Sequence, residues 1–99
     1  MHKLPRTMQT LAKRSSTLRT LLTEGAGEYK LFKAAERVRD ARIKVLQATI
    51  GAMPSVLLTP PQHRRIAKLD REIEKLRAAM PIDIVAEFRL ARPANSRDD

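Results

Sequence analysis

The sequence predicts a mainly α protein: a long helical hairpin of two antiparallel helices, with a mobile basic amphipathic helix before it and a short β-like segment after it. Three observations predict this. Apolar residues recur at helical spacing over three separate stretches. Glycine and proline fall between or at the ends of those stretches, not inside them. Period-two alternation occurs only after Pro81. A chain of 99 residues has room for one core, because so short a polymer removes only about two-thirds of its unfolded surface from water.

The first helix is expected over about 7–23. Met8, Leu11, Ser15, Leu18 and Leu22 make its apolar stripe, widened by Ala12 and Leu21, while Lys13, Arg14 and Arg19 take other faces. Gly25-Ala26-Gly27 ends it and, as two residues that enter left-handed conformations without steric cost, suggests a hinge. From 28 to 50 no glycine or proline intervenes, so a helix of about six turns follows. Leu31, Phe32, Ala35, Val38, Val45, Leu46 and Ile50 gather on one side of it, and Lys33, Arg37, Asp40, Lys44 and Gln47 on the other. Arg42 projects into the apolar side and Arg39 lies near its flank, so burying that face requires partners for two guanidinium groups.

Gly51 reads as a residue just past a helix end, and the stretch to Thr59, with an apolar Val56-Leu57-Leu58 centre, as a loop tucked against the helices. Thr59-Pro60-Pro61-Gln62 has the signature of a capping box with proline at the first helical position. A third helix is therefore expected from 60 to about 79. Its apolar residues Ile66, Leu69, Ile73, Leu76 and Met80 step by three and four, the narrow seam of a coiled coil. Two heptads are too few for a free-standing coiled coil, so this helix should fold back on the second or pair with another copy. Arg65, Asp70, Glu72 and Arg77 flank the seam as candidate partners for Arg39 and Arg42.

After Pro81, Ile82, Ile84, Ala86, Phe88 and Leu90 alternate with Asp83, Val85, Glu87 and Arg89, which fits a strand; a short helix using Ile84, Val85, Phe88 and Ala91 fits as well. A lone strand leaves its ladder groups unpaired apart from the brief stretch 55–58, which points to pairing with a second chain. The expected organisation is a basic helix or arm at 1–24, a hairpin domain with the strand-like segment at 25–92, and a disordered tail at 93–99.

Twenty lysines and arginines stand against eleven acidic residues, a formal net charge of +9, and the whole excess lies before Pro81. Such a balance favours polyanionic partners. Residues 1–23 hold five basic groups and no acidic one among many hydroxyls, a composition shared by organellar transit peptides and basic amphipathic helices. The longest uncharged stretch, 45–62, carries Pro54, Pro60 and Pro61 and is no spanning helix.

Catalytic and cofactor chemistry finds little support. The chain has no cysteine, which removes disulfides, thiolate nucleophiles and the commonest structural zinc sites. His2 and His63 lack a carboxylate at helical spacing to orient them, and Asp70, Glu72 and Glu74 alternate with Arg71 and Lys75, which repel a cation. Glu36 and Asp40 lie among Arg37, Arg39 and Lys44, so they read as surface ion-pair partners. No phosphate loop is present, since the Gly-Ala-Gly follows no strand. No metal, cofactor or small-molecule substrate is expected.

With only Tyr29, Phe32 and Phe88 as aromatics, a nucleic acid would be held by its phosphates and not by base stacking. The expected contacts are Lys3, Arg6, Lys13, Arg14 and Arg19 on the first helix and Arg64, Arg65, Lys68 and Arg71 on the third. The nine-residue loop between the second and third helices is too long for a helix-turn-helix. The sequence thus favours a non-enzymatic accessory or regulatory protein that binds nucleic acid as a homodimer, with Arg39, Arg42, Ile66, Leu69, Ile73, Leu76, Ile84 and Phe88 as interface residues. The rival expectation is a protein-interaction adaptor or assembly factor that captures its partner on the hairpin or the terminal strand. The compartment expected is the cytoplasm, or the mitochondrial matrix if residues 1–23 target the chain there.

Overall fold

A computed structural model describes residues 4–53 and 58–91. All its regular structure is helical: α1 (Arg6–Glu24), α2 (Glu28–Gly51), α3 (Pro60–Ala78) and α4 (Pro81–Leu90). The molecule measures 52 × 36 × 22 Å, and its thinnest dimension is that of two helix layers. Lys3, the loop centre at 56–57, the 55–58 pairing stretch up to residue 57 and the tail at 93–99 lie outside the described residues.

α1 and α2 form the closest pair. Their connection is a Schellman turn: Gly25 sits at φ 70°, its N–H donates to the Leu22 carbonyl at 3.2 Å, and the Ala26 N–H donates to Leu21 at 3.0 Å. Ala26 also packs on the core, which supplies the apolar contact of that motif. The expected hinge is therefore a fixed turn. The expected mobile arm is likewise a docked helix, because Leu18 of α1 is wholly buried in the same cluster as Leu31, Ala34, Ala35 and Val38 of α2. Sealing one leucine contributes about 2 kcal/mol, enough to hold α1 against its neighbour.

The strand expected at 82–90 is α4. Pro81 occupies the first helical position, and the Asp83 carboxylate accepts a hydrogen bond from the Met80 N–H at 3.2 Å, half of a capping box. With its φ preset and a free donor satisfied, the segment needs no sheet partner. Ile84, Val85 and Phe88 enter the core, while Ile82 and Leu90, which a strand would place beside them, are exposed. As a helix, α4 has no unpaired ladder groups that call for a second chain.

α3 begins at the capping box read from the sequence. The Gln62 N–H donates to Thr59 Oγ1 at 3.4 Å and the Thr59 N–H donates to Gln62 Oε1 at 2.8 Å. The helix packs on α2 alone among the other helices, with Ile73 buried and Ile66, Leu69 and Leu76 half-buried. It runs antiparallel to α2, since Ala79 meets Arg39 while Leu76 and Glu72 sit by Arg42, Val45 and Leu46. The α2–α3 hairpin is thus only the outer part of the fold, and the principal core joins α1, α2 and α4. α2 continues through Gly51, whose φ is not positive, and ends at Ala52.

Candidate nucleic-acid interface

Two interior cations of the sequence find their partners at home. Arg42 donates to both carboxylate oxygens of Glu87 on α4, with Nη1 to Oε1 at 2.9 Å. The hydrogen-bonded pairing pulls the Glu87 carboxyl below its ordinary range and raises Arg42 above its own. Two guanidiniums stand by the Phe88 ring, Arg19 of α1 at 5.5 Å and Arg42 of α2 at 5.6 Å from its centroid. Arg39 donates to Asp40 Oδ1 at 3.2 Å and approaches the Ala79 carbonyl at 3.5 Å, close to the negative end of α3. The partners expected on α3 (Arg65, Asp70, Glu72 and Arg77) are not used: Glu72 only lines a cavity beside Arg42, and Arg77 pairs with Glu74 at 3.1 Å. Ile84 and Phe88 are interior to one chain, so as a surface between copies they offer nothing while α4 is seated.

The remaining cations gather elsewhere. Because α1 and α2 are antiparallel across a three-residue turn, Arg14 lies level with Arg37, and Arg6 level with Lys44. The two helices there border adjoining cavities of about 170 and 240 Å3. The first is lined by Thr10, Arg14, Arg37, Asp40, Ala41 and Lys44, the second by Arg6, Thr7, Thr10, Ala41 and Lys44. Ala41, with no side chain beyond Cβ, lets the helices approach at the floor; Thr7 and Thr10 add hydroxyls. Among the described residues none of Arg6, Arg14, Arg37 and Lys44 has an ion-pair partner, and the one carboxylate present, Asp40, is engaged by Arg39. Four like charges held together without counter-ions of their own leave a groove that attracts an anion.

The structure brings Arg6 and Arg14 into this groove. It leaves Lys13 exposed outside it and turns Arg19 onto Phe88. Arg64, Arg65 and Lys68 are exposed on the first turns of α3 and Arg71 near its middle, and none of the four lines the groove; α3 packs on the side of α2 that carries Arg39, Arg42 and Leu46, away from Arg37 and Lys44. Arg37 and Lys44 were not among the expected contacts. Their spacing with Ala41, at i, i+4 and i+7, does place the three on one helix face, yet only the α1–α2 contact shows that this face meets Arg6, Thr10 and Arg14.

A separate cavity of about 330 Å3 lies between α1, α2 and α3, lined by Leu11, Arg42, Val45, Leu46, Glu72 and Leu76. No helix of the described residues is long and apolar enough to cross a membrane. Compared with known proteins, the chain matches no family model, no curated protein and no solved structure.

Proposed function

We propose that the chain is a non-enzymatic accessory or regulatory protein that binds nucleic acid through the phosphate backbone. The observation that carries this reading is the groove in which Arg6, Arg14, Arg37 and Lys44 stand together without ion-pair partners among the described residues. Phosphate oxygens satisfy such groups, and release of condensed counter-ions drives the association. Neutralising about four phosphates gives a slope of roughly −3.5 in log affinity against log salt.

The test is an anisotropy titration of a labelled duplex of about 20 base pairs, repeated between about 50 and 200 mM salt. The reading predicts binding at low salt that weakens steeply as salt rises. No binding at the low-salt end would overturn it.

A second reading, a protein-interaction adaptor or assembly factor, is favoured by the apolar cavity between α1, α2 and α3 and by the exposure of Met80, Ile82 and Leu90. It predicts that Val45→Asp abolishes partner capture while Arg14→Ala leaves it intact. Equal capture by both variants would count against it.

A further inference from the structure

We propose that the α1–α2 groove is a two-rung phosphate site that takes two phosphates of a nucleic-acid duplex, Arg14 with Arg37 forming one rung and Arg6 with Lys44 the other. This deepens the nucleic-acid reading and rests on it. Arg6 and Arg14 are eight residues apart on α1, and Arg37 and Lys44 seven apart on α2; at 1.5 Å per residue the rungs stand about 11 Å apart. Thr10 and Lys44 line both cavities, so the two positions share a wall and form one continuous site. A separation of that size exceeds the step between neighbouring phosphates on a strand. It suits the phosphate rows that flank a minor groove, which is about 6 Å wide between their surfaces, with one phosphate diameter added between centres.

The same residues discriminate against single strands. No aromatic side chain lines either cavity, whereas single-stranded recognition depends on bases stacking on aromatic faces. Phe88 is interior, Phe32 packs against the core, and exposed Tyr29 lies eight residues before Arg37 of the nearer rung, about 12 Å along α2, where the Lys33 ammonium stands 6.0 Å from its ring centroid and Tyr29 lines neither cavity. A duplex, whose bases are already stacked on each other, asks only for charge at the right separation.

The experiment uses the full chain with four preparations: unaltered, Arg14→Ala with Arg37→Ala, Arg6→Ala with Lys44→Ala, and Arg64→Ala with Arg65→Ala. All these side chains belong to exposed residues, and circular dichroism melting checks that each variant is folded. Duplex binding is read by anisotropy across a salt series, with an unlabelled single strand of equal phosphate number as competitor. Each rung variant should lose about tenfold or more in affinity and about 2 from the magnitude of the salt slope, because each cation contributes roughly one counter-ion. The single strand should compete weakly. If both rung variants bind as the unaltered chain does while the α3 variant loses binding, the two-rung site is overturned and the nucleic-acid reading stands. Competition by the single strand equal to that of duplex overturns the choice of duplex. If the unaltered chain binds neither, the nucleic-acid reading itself fails.

Discussion

α4 and α3 are both attached to α2, yet they are held in different ways. α4 has ten residues and sends three of them, Ile84, Val85 and Phe88, into the core. It also locks to α2 through the two-pronged Arg42–Glu87 pair and brings Phe88 within cation–π distance of Arg19 and Arg42. α3 has nineteen residues and fully buries only Ile73. Its apolar residues make a seam one side chain wide, as the three-four stepping dictates, so most of its length rests on the flank of α2. Helix length is therefore a poor guide to what a helix contributes; the width of its apolar face decides.

This contrast predicts a graded set of effects. The largest belongs to the shared core: Phe88→Ala should destabilise the whole protein by about 3–5 kcal/mol, because it removes a large buried ring that two guanidiniums also contact. Denaturant unfolding monitored by far-ultraviolet circular dichroism measures this, and a loss below about 1 kcal/mol would mean that α4 is not integral. Ile73→Ala should cost less, about 2 kcal/mol, and act first on α3. Hydrogen exchange should show α3 amides losing protection while those of α2 around Ala35 and Val38 keep theirs; equal loss in both would erase the distinction between core and flank.

Smaller effects sharpen the same comparison. Glu87→Gln should cost about 1 kcal/mol near neutral pH, as suits a two-pronged pair whose carboxylate is half-exposed. The sign follows from the direction of the carboxyl shift: held below its ordinary value by Arg42, Glu87 contributes stability above the usual carboxylate range and loses it as pH falls through the lowered folded value. The gap between wild type and Glu87→Gln should accordingly close on acidification below about pH 4. A gap that widens in acid would refute the pairing. Thr59→Ala should be the mildest, at about 1 kcal/mol or less, through loss of the α3 cap, and should change exchange only in the first turn of that helix.

Much of this fold was legible in the sequence because its signals are local. The glycines at 25 and 27, the Thr59–Gln62 capping box and the uninterrupted run from 28 to 50 place three helices within a residue or two of their observed ends. The segment after Pro81 was ambiguous since Ile84, Val85 and Phe88 satisfy a helix face while alternation with charged residues satisfies a strand. Proline at the first position and Asp83 at the third break the tie, and both are visible in the sequence as helix-start chemistry. Arg39 takes its carboxylate from its sequence neighbour Asp40, whereas the destination of Arg42 was not legible, because Glu87 lies forty-five residues away and only the docking of α4 brings it near. The candidate site was half legible for the same reason. Arg6 and Arg14 stand out in an acid-poor stretch, whereas Arg37 and Lys44 look like the ordinary polar side of a long helix until α1 is laid along it.

The groove exists only if α1 is fixed in place, so the most direct measurement is native-state hydrogen exchange along that helix. The account predicts that amides of α1 around Leu18 open only with global unfolding, at the same limit as those around Ala35 and Val38. Exchange of α1 at the rate of a detached helix, with α2 still protected, would contradict it and return Arg6 and Arg14 to a free arm.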